Sequence, residues 1–284
     1  MKERKLTILR GVVICSAILI SVQLWAQPYV DPLQVRYMNA FKNSNTPATP
    51  FTHLYIGSDL PIQFKGDAIL LLSPYYETWS IDSAETSEIY PTVHSFVFPV
   101  GLIMPIKDSK WTLTAIPIVG WSGEKLFAEN TFQYGGVTLL SFERKPQQKF
   151  RVGVYANAEF FGLFIVPLIG CDWRIDDKNY LFGVLPGRLT YEHKWNDKFF
   201  GGVTFRAPTR SYRLSNGQYL RLDDNQLSVF VDYYPVKQMC ITIEPGFGVL
   251  RKIRTGIDGR DYITSVNWGD GPFIKLSAAY RIRL

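Results

Sequence analysis

The chain has 284 residues, with 31 Lys and Arg against 25 Asp and Glu for a formal charge of +6, and 15% aromatic residues; its mean hydropathy is −0.02. So small a surplus, with no Lys/Arg cluster interleaved with aromatics, argues against nucleic acid as a partner. Beyond the N-terminus no run of about 18 apolar residues occurs, which excludes a helical membrane protein, and the length suits one large β domain.

At the N-terminus Lys2, Arg4, Lys5 and Arg10 precede the apolar run Gly11 to Leu24, followed by Trp25, Ala26 and Gln27. A basic region ahead of a short apolar run with no charged stop predicts a secretory signal peptide, residues 1–26, cleaved after Ala26. Its loss removes four basic residues and one acidic residue, taking +6 to +3. Residues 27–50 are read as an N-terminal segment, loose from Asn43 to Pro50, and residues 51–284 as a single barrel domain.

Strand patterns follow in chain order. Trp111, Leu113, Ala115, Pro117, Val119 and Trp121 oppose Thr112, Thr114, Ile116, Ile118 and Gly120. Phe150, Val152, Val154, Ala156 and Ala158 oppose Arg151, Gly153, Tyr155, Asn157 and Glu159. Leu189, Tyr191, His193 and Trp195 oppose Arg188, Thr190, Glu192 and Lys194; Phe199, Val203 and Phe205 oppose Thr204, Arg206 and Arg210. Met239, Ile241, Ile243, Phe247 and Val249 oppose Thr242, Glu244 and Gly248. From Pro272 to Leu284, Ile274, Leu276, Ala278, Tyr280, Ile282 and Leu284 oppose Lys275, Ser277, Ala279, Arg281 and Arg283. A period of two puts each set on one face of a strand, whereas a helix would scatter it.

Short polar turns (Lys107 to Lys110, Pro146 to Lys149, Asp176 to Asn179, Asn196 to Lys198, Val236 to Gln238) alternate with longer links (Asp82 to Glu88, Gly123 to Asn130, Ser215 to Asn225, Lys252 to Gly271). That asymmetry, with an apolar-aromatic last strand, predicts an all-β fold: an antiparallel transmembrane β-barrel of the cell outer membrane in a Gram-negative envelope, with about twelve strands, or ten or fourteen. Trp111 and Trp121 share a face ten residues apart. That is about 33 Å along a strand, or about 25 Å along the membrane normal after tilting, the height of a lipid-facing band between two aromatic girdles. Trp173 and Trp195, near short turns, complete the predicted girdle.

The opposite parity is predicted to line the lumen: Arg151, Glu159, Asp172, Arg174, Arg188, Glu192 and Lys194, then Arg206, Arg210, Asp232, Glu244, Lys275 and Arg281. Both charge signs occur, suiting either a plug of ion pairs or an ion-selective pore. Cys171 and Cys240 fall on opposite columns, so no disulfide is expected.

The segments Leu181 to Trp195, Arg221 to Lys237 and Ala278 to Leu284 resemble an uncharacterised family of outer-membrane β-barrel proteins, a domain of unknown function. The resemblance implies the barrel and carries no catalytic, cofactor-binding or metal-binding residues. No G-x-S-x-G, H-E-x-x-H or P-loop occurs, and His94 and Ser95 are strand neighbours pointing to opposite faces, so no enzyme is expected. Asp223, Asp224, Asp258 and Asp261 are read as solvated loop residues without a cofactor or metal. The expected partners are outer-membrane lipid and the barrel-assembly machinery, reached through the C-terminal strand; the sequence leaves the oligomeric state open. The function expected is a narrow pore or small-solute transporter, with a structural or surface-binding barrel and a secreted soluble β protein as alternatives.

Overall fold

Alternating residues become strands throughout a computed structural model, which describes residues 28–42, 50–64, 67–82, 90–259, 262–267 and 269–284. The predicted signal peptide and the stretch 43–49 lie outside these residues. The strands are β1 (Tyr29–Ala40), β2 (Phe51–Gly57), β3 (Leu60–Gln63), β4 (Ile69–Leu72), β5 (Tyr75–Ile81), β6 (Val93–Pro105), β7 (Trp111–Gly123), β8 (Phe132–Lys145) and β9 (Gln148–Glu159). They continue as β10 (Gly162–Arg174), β11 (Asn179–Leu185), β12 (Arg188–Lys194), β13 (Phe199–Arg206), β14 (Thr209–Arg213), β15 (Tyr219–Val236), β16 (Met239–Gly256), β17 (Tyr262–Asn267) and β18 (Gly271–Arg283).

Four pairs of these, β2 with β3, β4 with β5, β13 with β14 and β17 with β18, continue one another, so the described residues form a closed antiparallel barrel of 14 strands. Fourteen is one of the expected strand numbers, above the central value of twelve. Ser58–Asp59 and Ser73–Pro74 interrupt the strands from β2 to β5 and hide their period. Closure is between β1 and β18, with Tyr37 opposite Leu276 and Tyr29 opposite Arg283, so the sheet has no free edge at this seam. The short polar turns named above all fall at the end that carries Tyr29 and Arg283. The longer links fall at the other, where β15, β16 and β17 take up much of two of them and where β9–β10 and β11–β12 are joined by only two residues each, Phe160–Phe161 and Pro186–Gly187.

The two faces invert the pattern of a soluble protein. Leu163, Ile165, Ile169, Val229, Ile243 and Leu276 are exposed on the outside, while Arg151, Glu192, Asp232, Glu244, Lys275 and Arg281 are buried within. Cys171 lies on the outer column and Cys240 is fully buried on the inner one; both are free thiols.

One element leaves the wall. Pro208 has no N–H to give to a ladder and marks a corner after β13. Beyond it β14 pairs with β15 on one side, while its end meets β7 across the barrel, with Arg213 beside Gly123. The β14–β15 hairpin is therefore a tongue folded across the long-loop mouth. Gly123 permits the contact, because a Cβ there would lie 2.9 Å from the Arg213 carbonyl oxygen. One face of the tongue, Tyr212, Leu220 and Leu222, packs with Met38, Phe51, Trp79, Val93, Ile253 and Phe273 into an apolar core.

Candidate functional site: the barrel interior

From the short-turn end toward the middle of the barrel, inward positions of β1, β12, β13, β15, β16 and β18 form buried ion pairs. Arg281 donates to both carboxylate oxygens of Asp31 at 2.7 and 2.8 Å and to Asp232 at 2.7 Å. Arg283 forks onto Glu192 at 2.8 and 2.9 Å, and its guanidinium carbon lies 3.4 Å from the centre of the Phe200 ring. Lys275 donates to Glu244 at 2.7 Å, Ser228 donates to the same oxygen at 2.6 Å, and Arg206 approaches the other at 3.6 Å. Burying charge is costly unless each group is paired and hydrogen-bonded, and forked guanidinium–carboxylate pairs meet that need best. Arg151 and Asp172 form a smaller pair at 3.4 Å, with the Tyr180 hydroxyl donating to Asp172 at 2.5 Å.

At the other end two carboxylates anchor the tongue. Glu159 Oε2 accepts from the Ser211 backbone N–H at 3.0 Å, the Ser211 hydroxyl at 2.6 Å and Gln133 at 2.9 Å. Glu77 accepts from Tyr212 at 3.3 Å and pairs with Arg210 at 3.2 Å and His53 at 3.0 Å. Arg210 also donates to the Tyr75 hydroxyl. Beside the tongue, Arg251 is buried between the Phe51 and Phe273 rings and donates to Asp224 at 2.7 Å. Outside the barrel proper, Ser215 donates to Glu124, holding that carboxyl below its ordinary value.

Several expected positions differ. Arg174 and Lys194, whose side chains are 52% and 40% exposed, pair with turn residues Asp177 and Asp197 at the rim and do not reach the interior, because their strands end there. Arg210 sits on the tongue rather than on the wall. Asp223 and Asp224 lie in β15 rather than in a loop, and Asp223 is clasped by Arg221 at 3.0 Å and Arg254 at 2.6 Å. Arg188 stacks over Phe182. Trp111, Trp173 and Trp195 are exposed on the outer face, and Trp121 is partly covered by Phe127 and Phe132. Asp31, Glu77 and Arg251 did not stand out in the sequence; Asp31 falls in the short N-terminal segment, and the other two lie outside the runs of clean alternation.

Histidines make structural contacts. His94 meets the Tyr76 hydroxyl at 2.7 Å on the outer face while Ser95 meets Ser122 inside; His193 meets Asn179 at 2.7 Å; His53 stacks on Trp79. Among the described residues no three His, Cys, Asp or Glu side chains gather as a metal site.

Between the ion-pair cluster and the tongue lies a cavity of about 640 Å³. Tyr155, Phe164, Val166, Leu168 and Val184 form an apolar side, and Arg36, Arg206, Arg210 and Lys275 a basic one. The wall beside it is incomplete. β11 pairs with β10 only from Ile169 to Arg174, so among the described residues β10 from Gly162 to Leu168 is paired with β9 alone. The tip of the β11–β12 hairpin (Pro186, Gly187) and the corner Ala207–Pro208–Thr209 bound this opening, and all five residues line the cavity.

No protein-family model matches the chain, so the resemblance carried by Leu181 to Trp195 and the other two segments has no counterpart there, and no curated protein matches it. Solved structures similar to it include the NanC porin, at 12% identity and a TM-score of 0.41 over 88% of this chain and 100% of that one. A TodX deltaS2S3 mutant monoaromatic hydrocarbon channel is similar at 9% identity and a TM-score of 0.38, over 95% and 94% of the two chains. The β domain of the Bordetella autotransporter BrkA is similar at 11% identity and a TM-score of 0.22, over 88% and 99%. At such values the solutes named for those proteins say nothing about this one.

Proposed function

We propose that this chain is an outer-membrane β-barrel that handles a small solute through an interior closed at rest, a gated channel or transporter rather than an open sieve. The observation that carries the reading is the cavity held between the anchored tongue and the buried ion-pair cluster. The apolar outer face supports the membrane setting, because lipid requires outward apolar side chains and a closed hydrogen-bonded wall. A barrel with no transport role is the second reading, favoured by how completely Arg281, Glu192 and Glu244 are paired.

Proteoliposome swelling separates the two. Slow entry restricted to small solutes, accelerated in Glu159→Ala, supports the channel. No entry in either protein supports the structural barrel, and fast entry of all solutes in the wild type contradicts closure. Recovery of the folded protein from the periplasm without detergent contradicts the membrane reading.

A further inference from the structure

The cavity is amphipathic, and its two halves point to one class of ligand. On the basic side Arg36, Arg206 and Lys275 face inward, and the carboxylate that Arg206 and Lys275 share is Glu244. Arg36 lies over the Tyr55 ring at 4.5 Å and has no carboxylate partner within salt-bridge distance among the described residues. Arg206 Nε is buried without a hydrogen-bond acceptor, a condition that costs free energy until an acceptor arrives. Among the described residues the one acidic side chain lining this cavity, Glu77, is occupied by Arg210 and His53.

The apolar half leads outward. Val166 and Leu168 face the cavity from the part of β10 that has no second neighbour, and Leu163 and Ile165 on its outer face are 71% and 57% exposed. A strand edge with unpaired N–H and C=O groups is tolerated at membrane depth only beside protein or a polar cavity. This edge borders such a cavity, so the side of the barrel is open where its lining turns from basic to apolar.

We propose that the cavity binds an organic monoanion with an apolar tail, its head between Arg36 and Arg206 and its tail along Val166 and Leu168 toward the opening beside β10. The volume suits a ligand of this kind, since small-molecule sites run from about 300 to 1,000 Å³. The ligand reaches the cavity from the apolar phase rather than through the tongue-filled mouth. This inference rests on the reading of the chain as a closed membrane barrel.

The test uses the full mature protein in lipid nanodiscs, with its heat-modifiable mobility on gels recorded first, and fluorescent dansylaminoundecanoic acid as the probe. Saturable binding displaced by decanoate, but by neither decanol nor acetate, is expected. Arg36→Gln removes a charge-assisted contact and should weaken binding about tenfold or more. Leu168→Trp fills the tail channel and should abolish binding; Val184→Trp serves the same end if Leu168→Trp does not fold. A folded wild-type barrel without saturable binding overturns the inference and leaves the barrel reading intact, as does displacement by decanol equal to that by decanoate. Unchanged binding in folded Arg36→Gln also overturns it. A chain that never enters nanodiscs overturns both.

Discussion

Glu192 shows how a single side chain supports the interior. It is buried on β12 and receives both arms of the Arg283 fork, while Asp232 at 3.9 Å gives Arg283 a second, weaker neighbour. Glu192→Gln should therefore cost about 2–3 kcal/mol, the worth of charge-assisted hydrogen bonds rather than of a hydrated surface pair. Urea titration of the detergent-folded barrel measures this, and an unchanged midpoint would mean that the fork is not held. On the outer face the same logic reverses. Val154 is 43% exposed in the apolar band, and Val154→Arg should cost about 2–4 kcal/mol if that band meets lipid. Equal stability of the variant and the wild type in bilayer refolding would contradict the lipid-facing assignment.

Among the elements, β18 and the tongue carry opposite lessons. Deleting Ala279 slips one part of β18 by a residue, which turns its outward apolar set inward against the Asp31 and Asp232 carboxylates. The expected result is loss of heat-modifiable barrel; a normal yield would show that this strand does not close the wall. β18 was legible because each alternate residue there is either lipid-compatible or charged. β9, β12 and β16 were legible for the same reason.

The tongue was not legible. Its residues, Thr209 to Asp224, alternate poorly because both of its faces are buried, one against Trp79 and Phe273 and the other against Glu159 and Gln133. Period-two patterning reports a contrast between two environments, and a strand enclosed on both sides has no such contrast. The interior charges were legible as residues. Their partners were not, since Arg281 reaches Asp31 across the closure seam and Arg283 reaches Glu192 across the barrel. Gly123→Val tests the tongue as an element: a side chain there cannot coexist with the Arg213 carbonyl at its present distance. The variant should fold yet admit solutes faster in proteoliposomes, and entry no faster than in the wild type would place the tongue elsewhere.

In the molecule as a whole, an apolar core at one mouth and paired charges near the other close a wall that is itself interrupted beside β10. In the proposed reading closure depends on the tongue, and the tongue is anchored by Glu159, which takes two of its hydrogen bonds from Ser211. Single-channel recording in planar lipid bilayers of the wild type beside Glu159→Ala is the most direct measurement. The wild type should be silent apart from rare brief openings and the variant should show frequent discrete conductance steps; steady steps from the wild type, or silence from both, would contradict closure by the tongue.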